Sequence, residues 1–424
     1  MLSNKVMIML GVVLSIVAVT LFIIISDHGG NEGIAVEPLA NKNPVPIDNP
    51  IYKEIIEPPI EEEQPKTLNI AAVGDIMVHI EQIEAAKTTV DGVTQYDFQP
   101  MFAEITPFLQ KSDFVIGNLE TTIAGQENRG YTGYPEFNSP ESLVDALKNA
   151  GFDYVSTANN HSLDRREAGV IKTLEQLESR EILFAGTARS PEEQSQIRVV
   201  VRNGISIALL SYTYGTNGIP IPQGKEYLVN LIDEQQIAED IAMIRDQVDF
   251  VIVSMHYGNE YHRTPSKQQI DISDKLVAYG ADIVLGSHPH VLQPAVWKQR
   301  EGNDAFVIYS LGNFVSAQRG DYKDNGVIVY LTLSKDQDGK TSIDKAEFLP
   351  TYVQKFPHEG KSKFRILAAE KSIKDYQDKS DVLLREFDYN KLQQALRDTT
   401  EHLTIGEMAA GAETSAKTFS RLQD

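Results

Sequence analysis

Cysteine is absent from the 424-residue chain. Disulfides and thiolate metal ligands are therefore excluded. Any metal must be held by His, Asp, Glu, Asn, backbone or water. Positive charge is scarce: 39 Lys and Arg against 60 Asp and Glu leave a formal charge of −21. A sequence-blind nucleic-acid binder needs a basic face, so nucleic acid is not an expected partner. No Gly-x-x-x-x-Gly-Lys-Ser/Thr loop occurs, which assigns any ATP-dependent ligation to another chain. The Gly-x-Ser-x-Gly elbow of serine hydrolases is also missing. No internal repeat is visible.

One long apolar run is present. Residues 6–25 carry no charge, and Ser15 and Thr20 are their only polar side chains. Twenty such residues match a helix that crosses the hydrocarbon core. Lys5 precedes the run and Asp27 follows it, so the positive-inside tendency places residue 1 in the cytoplasm and the rest outside. A cleaved signal peptide is the rival reading; Ile24-Ile25-Ser26-Asp27 is a poor cleavage site for one. Residues 1–26 are expected to be a cytoplasmic start and membrane anchor. Residues 27–66 hold seven of the nineteen prolines and the acidic run Glu61-Glu62-Glu63. That composition stays extended and reads as an extracellular tether.

From Thr67 the texture changes to short β-branched runs alternating with amphipathic helical patterns. Strands are expected at 68–73, 114–116, 154–157, 182–185, 205–210, 250–255, 282–285, 305–309 and 327–333. Helices are expected at 100–110, 140–150, 167–179, 233–245 and 265–278. Such alternation predicts an α/β domain over 67–355. Beyond about Lys335 the pattern loosens. Residues 356–424 read as a helical extension, with a helix at 387–403 and a weakly ordered tail from Thr404.

The informative feature is where polar residues fall. Strand after strand ends in metal-capable side chains: Gly74-Asp75, Gly117-Asn118-Leu119-Glu120, Asn159-Asn160-His161, His256-Tyr257-Gly258-Asn259-Glu260, Gly286-Ser287-His288-Pro289-His290 and Ser310-Leu311-Gly312-Asn313. In an α/β sheet the carboxyl ends of the strands line one crevice. Six loops would thus deliver Asp, Glu, Asn and His to one place. Six of the nine histidines (His79, His161, His256, His262, His288 and His290) lie in or beside these loops. A mixed imidazole, carboxylate and amide set suits Zn²⁺ or Mn²⁺. In an extended segment residues two apart point the same way, so His288 and His290 are expected to reach one site together.

Those six motifs, in that order over 67–318, resemble the CapA (PgsA) family of capsule, or poly-γ-glutamate, synthesis proteins. The apolar run and acidic spacer resemble the same family's arrangement in Gram-positive poly-γ-glutamate synthases. The resemblance implies a metallophosphatase-like two-sheet α/β sandwich behind an N-terminal transmembrane helix. It implies a cofactor of one or two divalent ions, Mn, Zn or Fe. It implies three partners: the membrane subunits of the synthase, the poly-γ-glutamate polymer and the cell membrane. By position it makes Asp75 a first-site carboxylate and gives the bridging place to Glu120 or Asn118. Asn160, His256, His288 and His290 complete the ligands. His161 becomes the proton-transfer group, with Glu260 as the alternative, and Asn118, Arg165 and Asn313 become substrate contacts. Phosphoesterases carry Asp-x-His on the first strand; Met77 stands there in this chain, and His79 is the nearest replacement. A polyanionic polymer would also need local cations, for which Arg129, Arg165, Arg166, Arg263 and Lys267 are placed near the loops. An extracellular metallohydrolase and a non-catalytic scaffold remain alternatives.

Overall fold

The computed structural model describes residues 65–300, 302–409 and 419–422. The expected anchor at 6–25 and the tether up to residue 64 lie outside them. Among the described residues no helix is long and apolar enough to cross a membrane.

The elements run β1 (Lys66–Ile76), α1 (Ile80–Ala86), β2 (Lys87–Val90), β3 (Val93–Tyr96), α2 (Gln99–Phe102), α3 (Thr106–Leu109), β4 (Phe114–Leu119), α4 (Ser142–Ala150), β5 (Tyr154–Ser156), α5 (Arg166–Glu178) and β6 (Leu183–Ala185). They continue with α6 (Pro191–Gln194), β7 (Arg198–Arg202), β8 (Ile205–Thr213), α7 (Glu234–Ile244), β9 (Phe250–His256), α8 (Lys267–Tyr279), β10 (Ile283–Ser287), β11 (Leu292–Lys298) and β12 (Ala305–Leu311). The last are β13 (Asn313–Val315), β14 (Asn325–Lys335), β15 (Thr341–His358), β16 (Lys361–Ala368), α9 (Ala369–Gln377), α10 (Glu386–Ala409) and β17 (Phe419–Arg421).

Two mixed sheets result. The first runs β16-β15-β14-β1-β4-β5-β6, with β13 on β1 and β17 on β15; the second runs β11-β12-β10-β9-β8-β7. Each has a parallel run (β1-β4-β5-β6 and β12-β10-β9-β8); antiparallel strands flank that run on the β14 side of the first sheet and close both margins of the second. The period-2 alternation of strand side chains assigns each face its layer. Leu68, Ile70 and Ala72 of β1 meet Ile207, Ile252 and Ile308 between the sheets. Ala71 and Val73 face the other way, onto a cluster with α4 residues Leu143, Val144 and Leu147. Val251, Val253 and Val284 of the second sheet cover Ile237 and Ile241 of α7 and Leu276 of α8. The layers are therefore helix, sheet, sheet, helix. Burying one such large aliphatic side chain contributes about 1.5–3 kcal/mol.

Several expectations are corrected here. The helix predicted at 100–110 is two short helices, α2 and α3, because Pro107 lacks the N–H that a continuous helix needs at that point. The loosened region after Lys335 holds the long β15 and its partner β16. Buried Gln354 and Arg365 hydrogen bond to each other across that pair and break its apolar pattern. The division expected between residues 355 and 356 falls inside β15, which pairs with β16 on both sides of it. The last helix runs to Ala409, and Phe419–Arg421 pairs with β15, so the tail from Thr404 is in part regular structure.

Two glycines let the strand ends close together. A Cβ on Gly74 would lie 1.9 Å from the Gly312 carbonyl oxygen, and one on Gly286 would lie 2.0 Å from that of Tyr309. Gly286→Ala is expected to lower stability by about 1–3 kcal/mol, the usual effect of overpacking. Chemical denaturation checks this; an unchanged midpoint would mean the strands have slack that these contacts deny.

Candidate metal centre

Register brings the first residues together. Asp75 at the end of β1 stands opposite Asn118 on β4 and Asn313 on β13. His256 ends β9 opposite Ser287 on β10. Glu120 follows β4, and Asn160 and His161 follow β5. His288 and His290 follow β10 at φ values of 97° and 57°. Both lie in the left-handed region, so the extended backbone expected for His288-Pro289-His290 is corrected to a strained turn. The turn still delivers both rings to one place, with centroids 5.9 Å apart.

Side chains from both sheets converge there. Asn118 Nδ2 donates to Asp75 Oδ1 at 2.8 Å. His290 Nδ1 lies 3.0 Å from Asp75 Oδ2 and 3.2 Å from Asn313 Oδ1. His256 Nδ1 lies 2.9 Å from Ser287 Oγ, and its Nε2 lies 3.0 Å from Asn160 Oδ1. Glu120 is fully buried. Neither of its carboxylate oxygens has a hydrogen-bond partner, and His288 Nδ1 is likewise buried and unpartnered. The Nε2 atoms of His256 and His290 stand off from Glu120 Oε1 at 3.6 and 3.7 Å. Three overlapping donor sets, each with ligand atoms within 4.8 Å of one another, are Asp75–Glu120–His290, Glu120–His256–His288 and Glu260–His288–His290. These unsatisfied buried atoms, on oxygen and imidazole nitrogen, fit a divalent cation.

Electrostatics agree with that fit. Burial, and then the negative charge of Asp75, hold the Glu120 carboxyl well above the ordinary carboxylate range. Burial, with the neighbouring imidazoles, lowers His256 strongly and brings His288 down to about 3. Both rings are therefore neutral near pH 7, as metal ligands must be.

His161 sits at the side of this cluster. Its Nδ1 is 2.7 Å from Asp164 Oδ2, and its ring meets Phe137 edge-on at 4.7 Å. The carboxylate fixes the ring with Nδ1 protonated, leaving Nε2 as the atom that exchanges a proton. Asn217 Nδ2 lies 3.4 Å from that Nε2, and Asn217 Oδ1 accepts from Asn160 Nδ2 at 3.1 Å. Glu260 is exposed at the mouth.

Other expected residues serve elsewhere. Asn118 turns inward, and its carbonyl oxygen accepts from Ser156 Oγ at 2.8 Å. Asn313 holds His290 and donates to Gln318 Oε1 and the Lys323 carbonyl. Arg165, expected to bind substrate, is buried and donates to Asn128 O, Glu136 O and Thr132 Oγ1, which fastens the 128–136 loop. Arg129 and Arg166 pair with Glu136, and Lys267 pairs with Asp271. Arg263 lies over the Tyr322 ring. His79 accepts a hydrogen bond from Ala317 N at Nδ1 and joins none of the three donor sets; His262 is exposed and joins none.

Sequence reasoning gave no role to Asp164, Ser287, Tyr214 or Asn217. Tyr214 stacks on His256 with rings 10° from parallel and touches His288, at centroid distances of 6.2 and 4.6 Å. The signal for Tyr214 and Asn217 was the strand-end rule itself. β8 continues to Thr213, three residues beyond its expected end, and the loop 214–218 is a seventh strand-end loop.

Residues 69–318 match the family model described as bacterial capsule synthesis protein PGA_cap. The chain is 29% identical to the capsule biosynthesis protein CapA of Bacillus anthracis over 283 residues, which are 64% of this chain and 66% of that one. It is 28% identical to the PGA biosynthesis protein CapA of Bacillus subtilis (strain 168) over 315 residues, 70% of this chain and 77% of that one. The first alignment thus spans slightly less than two thirds of its relative's length. Among solved structures, NAD nucleotidase from Haemophilus influenzae superposes with a TM-score of 0.42 at 14% identity, over 80% of this chain and 61% of that one. The calcineurin-like phosphoesterase YfkN from Bacillus subtilis gives 0.39 at 13%, over 79% and 98%. Superposition of this degree carries no weight for activity.

The shifted groups make the metal-free protein pH-sensitive in a definite way. Below the ordinary histidine value of 6.5, the unfolded chain takes up protons that His256 and His288 refuse, so stability falls as pH drops toward 3. Glu120 acts oppositely: above the ordinary value of 4.5 the unfolded chain loses a proton that the fold retains, so stability falls as pH rises. Burial lowers His79 and His402 as well, which adds to the loss on the acid side. Metal-free thermal stability is therefore expected to fall as pH drops below 6.5, with Glu120 adding an opposing loss as pH rises. Glu120→Gln should reduce the alkaline decline, and calorimetry in two buffers should show proton release on cation binding in the wild type that is smaller in Glu120→Gln. A Glu120→Gln profile identical to wild type would contradict the assignment.

Proposed function

The chain belongs to the family of bacterial capsule synthesis proteins, and on that premise we propose that it is a membrane-anchored, extracellular component of poly-γ-glutamate capsule biosynthesis or export, with a divalent cation in its strand-end pocket. The observation that carries the metal reading is Glu120, fully buried with both oxygens unpaired among His256, His288, His290 and Asp75. Mn, Zn or Fe suits these donors. Glu120, His288 and His290 each belong to two of the three donor sets; Glu120 is the carboxylate among them, with two oxygens to offer, and would be the bridge if two ions share the pocket.

When bound, the cation supplies Lewis acidity to an ester, phosphoryl or amide oxygen. The chain's own groups do the rest. Asp164 holds His161 so that Nε2 faces the pocket beside Asn217, ready to hold or deliver a proton. Asn118 orients Asp75, Asn313 orients His290, and Ser287 orients His256. Tyr214 closes one wall against His288. Part of the positive charge that a polyanion requires would come from the cation and part from Arg129 and Arg166, which are half exposed and share the single carboxylate of Glu136 with buried Arg165; Lys267 is paired with Asp271. Salt limits the repulsion from the protein's net negative charge to about 8 Å.

The anchor reading is supported by the uncharged run at 6–25 and the relatives' role in capsule synthesis. Deleting residues 1–26 is expected to move the chain from the membrane fraction to the soluble fraction. In intact cells, added protease should digest the full-length chain; protection would contradict an extracellular domain. A metallohydrolase is the second reading, favoured by the His161–Asp164 pair at 2.7 Å. His288→Ala with His290→Ala is expected to abolish polymer output by the producing cell, measured as cell-bound polyglutamate. Normal output would reduce the chain to a scaffold. His161→Ala is expected to cut turnover of any cleaved ester by about 10²–10⁴-fold while leaving metal content unchanged.

A further inference from the structure

The loop 257–266 joins β9 to α8 and carries Glu260, whose carboxylate completes the donor set with His288 and His290. An exposed acid on a loop keeps its place only if the backbone around it is held. On the side of the pocket, Tyr261 N donates to Pro289 O and Gln293 Nε2 donates to His262 O, both at 2.7 Å. Toward α10 the loop is attached through Arg263. Its guanidinium lies 3.9 Å above the Tyr322 ring and donates to the Asp398 carbonyl at 3.3 Å. Its own carbonyl lies 3.0 Å from His402 Nε2. Asp398 and His402 are one turn apart on α10, so they present to the same face of that helix. Glu260 and Arg263 are three residues apart, about 10 Å at most.

We propose that α10 is a clasp that holds the Glu260 loop over the metal pocket, with Arg263 and His402 as positioning residues. The helix lies beyond the family-matched residues 69–318. The C-terminal extension thereby acquires a role at the site: it sets how well the outer donor set closes on a cation. The proposal deepens the metal reading and rests on it. His402 Nε2 is the donor to Arg263 O, so a side chain that keeps an N–H at that place keeps the clasp.

The test is Mn²⁺ titration of the full-length chain by electron paramagnetic resonance, combined with hydrogen exchange over 258–266. His402→Leu is expected to weaken Mn²⁺ binding about fivefold, the worth of one net hydrogen bond. It should also speed exchange of the loop amides, and His402→Gln should restore both. In a Glu260→Gln background His402→Leu should cost no further affinity, because the effect passes through that carboxylate. Wild-type affinity and exchange in His402→Leu, failure of His402→Gln to rescue, or an equal loss in the Glu260→Gln background would each overturn the clasp. If the wild type binds no Mn²⁺, the metal reading fails instead. Loop exchange alone then decides the clasp: acceleration in His402→Leu but not in His402→Gln supports it, and no change overturns it.

Discussion

A carboxylate removed from water needs a proton, a cation or a set of donors, and leaving it without any costs on the order of several kcal/mol. Glu120 has no donors. Its neighbours include Asp75, Glu260 and Asp164, and His256 and His288, whose own protonation burial suppresses. The fold therefore retains a proton there or takes a cation. The same burial that makes Glu120 reluctant to ionise keeps His256 and His288 neutral, which frees their nitrogens to act as ligands. One constraint accounts for the raised acid, the depressed bases and the orphaned atoms together.

The rest of the molecule maintains that arrangement. Parallel strands of two sheets end at a common edge, and the apolar layer between the sheets fixes their registers. Gly74 and Gly286 permit the close backbone approaches to Gly312 and Tyr309 that bring Asp75 and His288 together. His288 and His290 take left-handed backbone angles, a strain of about 1–3 kcal/mol each that persists only where the surroundings impose it. A ring of positioning contacts, Ser287 to His256, Asn313 to His290 and Asp164 to His161, then sets the imidazole orientations.

Much of the site was legible because its donors follow strands directly, where sheet topology fixes their destination. The convergence of Asp75, Glu120, Asn160, His256, His288 and His290 was readable for that reason, and so was the α/β alternation; that they hold a cation is the proposal. What escaped did so for local reasons. Tyr214 and Asn217 were hidden because the polar Ser211 and Thr213 disguised the end of β8. Arg165 looked free because sequence does not show that its guanidinium grips the 128–136 backbone. The strands β15 and β16 were obscured by Gln354 and Arg365, a buried polar pair that satisfies itself in three dimensions. The turn at His288-Pro289-His290 was mistaken for extended chain, since a left-handed histidine is a tertiary consequence rather than a local preference.

The central claim is that Glu120 and the imidazoles around it form a cation site. Crystals of the domain soaked in Mn²⁺ and measured at the manganese absorption edge test it most directly. The account expects an anomalous peak bonded to Glu120, with ligands drawn from Asp75, His256, His288 and His290. A well-ordered pocket with no peak, and a Glu120 carboxyl hydrogen bonded as a neutral acid, would contradict it.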